Sequence, residues 1–265
     1  MISNMTTAQY LLELIQAKND MKEALREKGV EVWGGLNTYP DAIERLAPMG
    51  AITVYDGTKF SYSTWDSPPL LDTSNVTDMS RMFYFCLDLQ SIPQLNTSNV
   101  TNMSGAFEEC NSISTIPLLD TANVTDMSRM FYGCGNLGSI PKLNTLKVTN
   151  MSEMFVGCKY FWGTISPIDT SNVTDMSYMF YGCEDLSRIG QLNVSNVTDM
   201  SYMFYGCEEL DSVTFVGKVP SGVKTDYMFG ECKDFTIYYP NQFANSYKAI
   251  IQELPSSGSA IGYDE

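Results

Sequence analysis

Seven cysteines are the first residues in this 265-residue chain whose type and spacing could do chemistry: Cys86, Cys110, Cys134, Cys158, Cys183, Cys207 and Cys232. Successive intervals are 24, 24, 24, 25, 24 and 25 residues. Thiols can form disulfides, bind zinc or act as nucleophiles, and each use needs a partner close by. The count is odd, no C-x-x-C pair exists, and the chain contains no histidine. Zinc sites and acid–base catalysis thereby lose their commonest side chain. Equivalent side chains on stacked repeats run parallel, a poor geometry for a disulfide. An inert buried ladder is expected instead, because free cysteine is among the most buried residue types.

The same period carries oxygen ligands and amides. Eight residues before successive cysteines stand Asp78, Asn102, Asp126, Asn150, Asp175 and Asp199. Carboxylate and amide oxygens suit calcium, but Asp and Asn more commonly satisfy turn backbone, and no metal is expected. N-V-T recurs at Asn75, Asn99, Asn123, Asn172 and Asn196. The triplet is formally a glycosylation sequon; the repeat explains it as an asparagine ladder tying neighbouring turns. No G-x-S-x-G elbow and no phosphate-binding glycine loop occur. The expectation is a non-enzymatic protein with no cofactor.

Recognition chemistry is better represented. Five residues before each cysteine stand Arg81, Gly105, Arg129, Glu153, Tyr178, Tyr202 and Tyr227. Two before it stand Tyr84, Glu108, Tyr132, Val156, Tyr181, Tyr205 and Gly230. Tyrosine offers contact area at low entropic cost, so Tyr178, Tyr181, Tyr202, Tyr205, Tyr132 and Arg129 are the candidate ligand-binding residues. The alternative is that these rings merely cover adjacent repeats.

Positioning such a face requires a repeating scaffold. Three residues before each cysteine stands Phe83, Phe107, Phe131, Phe155, Phe180, Phe204 or Phe229. Seven before it, the first six units carry Met79, Met103, Met127, Met151, Met176 and Met200; ten before it they carry Val76, Val100, Val124, Val148, Val173 and Val197. Three after it comes Leu89, Ile113, Leu137, Phe161, Leu186, Leu210 or Phe235. A fixed period of this size predicts units that bury their apolar faces by stacking. The expected fold is a β-solenoid of seven ~24-residue coils at about 4.8 Å spacing. Within a coil, L-x-S-I-P (Leu89 to Pro93) and V-T-D-M read as short strands, and S-x-M-F-Y-G-C reads as one helical turn with a glycine bend.

The pattern L-D-T-S-N-V-T-D-M-S-x-M-F-Y-G-C-x-x-L resembles the BspA-type leucine-rich repeats of bacterial surface proteins, over roughly Leu71 to Tyr239. The resemblance implies a leucine-rich-repeat-like fold and roles in adhesion and ligand binding. Unit four departs from the pattern, with Leu146-Lys147 in place of Ser-Asn and extra residues around Tyr160-Phe161-Trp162-Gly163. The expected organisation is an N-terminal helical anchor over 1–50, an N-terminal cap over 51–70, the repeats over 71–239, and a C-terminal cap with a loose tail over 240–265. In the first cap, Ile52 to Tyr55 reads as a strand, Asp56-Gly57 as a turn, and Tyr62, Trp65 and Pro68-Pro69 as a cover for the open end. Phe235 to Pro240 reads as a last strand. Asn241 to Leu254 reads as a closing helix with Phe243, Tyr247, Ile250 and Ile251 on its apolar face, similar to the C-terminal caps of this repeat family.

Residues 6–28 read as a long helix whose stripe includes Leu11, Leu14, Ile15, Met21 and Leu25, and these are the candidate anchor residues. Pro40 to Leu46 reads as a second, short helix. The stretch A-K-N-D-M-K-E-A-L-R-E-K-G-V-E-V (Ala17 to Val32), followed by a Tyr-Pro-containing short helix, resembles the N-terminal attachment regions of phage tail-fibre and related virion proteins. An amphipathic cap on the first coil is the alternative. A net charge of −15 opposes nucleic acid and anionic membrane surfaces. No run of 18 or more apolar residues is present, and Met1 to Thr6 lacks the marks of an export signal.

The expected function is therefore a structural or binding protein of a bacteriophage virion, in a tail fibre, baseplate or head appendage. Its N-terminal helices would join other virion proteins, and could also join copies of the chain. Its repeats would meet a host-surface protein or glycan. The alternative is a bacterial cell-surface leucine-rich-repeat adhesin.

Overall fold

The computed structural model describes residues 52–68, 70–161 and 168–264. The expected N-terminal helices, with Leu11, Leu14, Ile15, Met21 and Leu25, lie outside the described residues, as do Pro69 and the Trp162-Gly163 insertion.

The periodic apolar residues form one continuous core. The valine, methionine and phenylalanine columns and the residues three after each cysteine are buried throughout. So is a column that sequence reading passed over, four before the cysteine: Met82, Ala106, Met130, Met154, Met179, Met203 and Met228. The phenylalanines stack in register from Phe83 to Phe229 with centroids 5.5–5.8 Å apart and planes within 17°. That is the offset geometry aromatic pairs prefer. Phe60 adds an unforeseen first rung, 5.6 Å from Phe83 and covered by Trp65 at 5.2 Å.

The backbone between the methionine and the cysteine is not a helical turn. Met82, Tyr84 and Cys86 donate to the carbonyls of Met79, Arg81 and Phe83, three residues back. The alternate residues Met79, Arg81, Phe83 and Phe85 donate forward to Asn102, Ser104, Ala106 and Glu108 of the next repeat. Every second amide thus closes a turn while its neighbour joins two repeats, which satisfies the buried backbone without a regular strand. The geometry needs left-handed residues five and one before the cysteine. The first position runs from Arg81 (φ 52°) through Glu153 (58°) to Tyr227 (53°), and the second from Phe85 (61°) through Gly206 (72°) to Glu231 (59°). Glycine occupies the second position four times because it meets no Cβ penalty there.

V-T-D-M likewise contributes single bridges rather than strands. Asp78, Asn102, Asp126, Asn150, Asp175, Asp199 and Lys224 bridge in parallel from one repeat to the next. Threonines beside them form a hydrogen-bonded row. The hydroxyl of Thr101 donates to the Thr77 carbonyl at 3.2 Å, and Thr125, Thr149, Thr174 and Thr198 repeat the contact. Asp56 closes the free end of the row, accepting from the Thr77 and Asp78 amides and the Thr77 hydroxyl at 2.6–2.9 Å.

Regular strands are few and short. β1 (Ile52–Thr53) and β2 (Leu71–Asp72) form a parallel pair. β3 (Arg188–Asn193), β4 (Ser212–Val216), β5 (Thr236–Pro240) and β6 (Ser259–Tyr263) form a parallel sheet in that order. The expected β-solenoid of seven regular coils is therefore corrected: the described residues carry one four-stranded parallel sheet, one two-residue pair and little helix. Proline is the physical reason. Seven residues after the cysteine, the first three repeats carry Pro93, Pro117 and Pro141, the fifth has Gly190 and the sixth Thr214. Proline has no amide hydrogen for a ladder, so the expected Leu89–Pro93 strand does not form. β3 passes Gly190 with a bulge between Ile189 and Gln191, and β4 passes Thr214 in register.

The C-terminal segment differs from expectation in two ways. Asn241–Tyr247 is a 3-10 helix that continues into α1 (Lys248–Gln252), burying Tyr247 and Ile250. The tail expected to be loose supplies β6, paired with β5 from Thr236↔Ser259 to Pro240↔Tyr263. Among the described residues, no helix is long and apolar enough to cross a membrane.

Candidate recognition surface

Each repeat buries two consecutive residues, four and three before the cysteine, and outside the second repeat, where Gly105 and Glu108 are buried too, it leaves the flanking positions half-buried or exposed. The tight turns therefore stack the residues five and two before the cysteine as two adjacent rows. In the last three repeats the first row is tyrosine, and the second is tyrosine in the fifth and sixth repeats and Gly230 in the seventh. Tyr178 and Tyr202 stack with centroids 4.8 Å apart and planes 8° apart, and Tyr227 continues the row 5.2 Å beyond Tyr202. Tyr181 and Tyr205 form the second row at 5.0 Å and 8°. The rows touch through Tyr178–Tyr181 at 5.7 Å and Tyr202–Tyr205 at 5.8 Å. Stacking occupies ring faces along each row, and Tyr178 and Tyr227 are the most exposed, at 37% and 62%.

The rows also shape the titration of their hydroxyls. The Tyr205 hydroxyl donates to Glu231 at 2.6 Å. That bond and the neighbouring carboxylate push its pKa up to about 12. Desolvation, then the surrounding tyrosines, pushes Tyr202 upward as well. Tyr202 and Tyr205 therefore keep their protons further into alkali than an ordinary tyrosine.

Arg129 and Tyr132, expected in the same surface, stand apart from it. Val156 interrupts the tyrosine row, and Arg129 is bound within an ionic cluster. Its guanidinium meets the buried Glu108 carboxylate at 2.5 Å and also contacts Glu153, while lying 4.1 Å from the Tyr132 ring centroid. Arg81 approaches the other Glu108 oxygen at 3.5 Å. The bond to Glu108 raises the Arg129 pKa. Desolvation, then the Glu108 charge, raises that of Glu109. A guanidinium already shared between two carboxylates has little capacity left for a ligand. Four predicted tyrosines thus come together and two predicted residues do not. Tyr227 completes the patch; its place in the tyrosine column was the available signal. Glu108 and Glu231 had none, because their roles depend on side chains from neighbouring repeats.

The remaining periodic residues are occupied by the scaffold. Asp78 Oδ1 accepts from the Ser80 amide at 2.8 Å, and Asn102, Asp126, Asn150, Asp175 and Asp199 make the same bond two residues on. The column is thus committed to turn backbone. Asn99, Asn123, Asn172 and Asn196 donate to carbonyls of the preceding repeat at 2.6–2.8 Å. Where unit four carries Lys147, its ammonium reaches Asn123 Oδ1 at 2.7 Å. The cysteines are free thiols, and all but the half-buried Cys232 are buried.

The repeats match one family model twice, over residues 60–140 and 136–241, under the description "Mycoplasma protein of unknown function, DUF285". No curated protein matches the chain. The two matches together span the repeats from the Phe60 rung to the start of the 3-10 helix, more than half of the sequence, and the chain belongs to this family.

Proposed function

We propose that the protein is a non-enzymatic attachment protein whose tyrosine rows bind a partner on a cell surface. The observation that carries this reading is the five-ring patch of half-buried Tyr181, Tyr202 and Tyr205 with exposed Tyr178 and Tyr227, on a hydrogen-bonded support. A preorganised aromatic patch loses little entropy on binding. Rings stacked on one another leave little free face for a sugar laid flat, which favours a protein partner. The setting that the N-terminal resemblance supports is a virion, with residues 1–50 joining other virion proteins and the repeats facing the host. A bacterial cell-surface adhesin is the second reading, and it is favoured by the family match, which covers the repeats and not residues 1–50.

The test is attachment of the purified chain to cells, with and without replacement of Tyr178, Tyr181, Tyr202 and Tyr205 by serine. Attachment is expected to be lost while the folded state persists; unchanged attachment overturns the proposal. Mass spectrometry of purified phage particles and of washed cell envelopes decides the setting. Constant stoichiometry in particles supports the virion, and peptides confined to envelopes support the adhesin.

A further inference from the structure

A cleft of about 730 Å³ lies between the loop after β4 and the helical segment, lined among others by Ser195, Lys218, Val219, Ser221, Asn245 and Lys248. Its walls are tied together. The Val219 amide donates to Ser246 Oγ at 3.2 Å, Ser246 Oγ donates to the Phe243 carbonyl at 2.8 Å, and the Tyr247 hydroxyl donates to the Gly217 carbonyl at 2.7 Å. Gly222, at φ 77°, turns the loop in a conformation that side chains rarely adopt.

Two lysines lie together on this cleft. Arg81, Arg129, Lys159, Arg188, Lys224 and Lys233 each face a carboxylate. Among the described residues Lys142 and Lys147, far along the sequence, face no carboxylate, and neither do Lys218 and Lys248, which share the cleft; the Ser221 and Gly222 amides have no acceptor. In a chain of net charge −15, two unpaired ammonium groups on one cleft form a local positive site. We propose that this cleft is a second binding site, separate from the tyrosine rows, that takes a saccharide bearing a single carboxylate. The lysines and free amides receive the carboxylate. Ser195, Ser221 and Asn245 match ring hydroxyls, and Pro220 and Ala249 supply apolar surface for the ring's C–H groups. The volume falls in the range of small-molecule sites. Inorganic phosphate has no ring to lie against Pro220 and Ala249, so a carboxylated saccharide is the better match.

The test is saturation-transfer NMR and calorimetry on the full chain with sodium D-glucuronate, D-glucose and inorganic phosphate as probes. Glucuronate is expected to bind, and to bind several-fold more weakly when salt rises from about 20 to about 200 mM. Lys218→Met and Lys248→Met are each expected to weaken it about tenfold with an unchanged circular dichroism spectrum. Lys218→Arg should retain binding, and so should the four-tyrosine variant, which separates this site from the attachment surface. Equal binding of glucose, tighter binding of phosphate, or undiminished glucuronate binding by both methionine variants overturns the proposal.

Discussion

The thiol of Cys134 donates to the backbone carbonyl of Phe107 at 3.1 Å, so the reactive-looking side chain is part of the core's hydrogen bonding. The contact recurs at 3.0–3.1 Å from Cys86–Phe60 to Cys232–Phe204. Each thiol needs its proton to make the bond. Burial raises the pKa of Cys134, Cys158, Cys183 and Cys207 above the ordinary value of 9.0, and that of Cys232 to about 12. The hydrogen bond with Cys86, then burial, raises that of Cys110.

Stability should consequently fall in alkali. The unfolded chain releases its thiol protons near pH 9, whereas the folded chain holds those of the six shifted cysteines from Cys110 to Cys232. The contribution is fully present below pH 9 and is lost as pH rises from there, reaching its limit for Cys232 near pH 12. Cys110, Cys134, Cys158, Cys183, Cys207 and Cys232 each contribute a slope of about 1.4 kcal/mol per pH unit. Urea midpoints should be level between about pH 7 and about pH 8.5 and drop steeply above about pH 9. Cys134→Ala should lower the starting stability and make the fall shallower by one proton. Rapid reaction of the six buried thiols with a disulfide reagent in the native state would contradict the assignment.

Glu108 should depend on Arg129. Its carboxylate side chain is only 4% exposed, and Arg129 supplies its closest charge. Arg129→Met should destabilise the fold by about 2–4 kcal/mol, because it strands a buried carboxylate. Adding Glu108→Gln should restore a large part of the loss, and a double-mutant cycle on urea denaturation measures the coupling. Additive effects would show that the cluster carries no pairwise energy.

Proline placement should control where the sheet forms. Thr214 pairs with Gln191 on one side and Tyr238 on the other. Thr214→Pro should destabilise the protein by about 3 kcal/mol or more, by removing a central ladder amide. Pro93→Thr should leave stability unchanged or raise it slightly. Hydrogen exchange checks both: protection in β3 and β5 should fall in the first variant and hold in the second.

Much of the core was legible because a period fixes phase. Val76, Met79, Phe83, Cys86 and Leu89 recur with their spacing intact, and side chains repeated that way must be buried together or exposed together. The asparagine ladder followed from the same logic. The conformation linking those residues was not legible. S-x-M-F-Y-G-C has the composition of a helical turn, yet alternate amides bond to the next repeat, and left-handed residues as different as Arg81, Glu153 and Tyr202 occupy one position. Local propensity favoured the helix and inter-repeat hydrogen bonding overrode it. The prolines that exclude strands from the first three repeats were visible, but their effect depended on which edge faced a neighbour.

The candidate surface divides along the same line. The sequence by itself determined that Tyr178, Tyr181, Tyr202 and Tyr205 share two columns, because the cysteine period places them in phase. Only the tertiary structure decided that those rings stack while Arg129 is held between Glu108 and Glu153, since that depends on side chains about 24 residues apart meeting across repeats. It also decided that Ser259–Tyr263 is a strand. A short polar tail carries no periodic signal of its own, and it is ordered by the open edge of β5 that it completes.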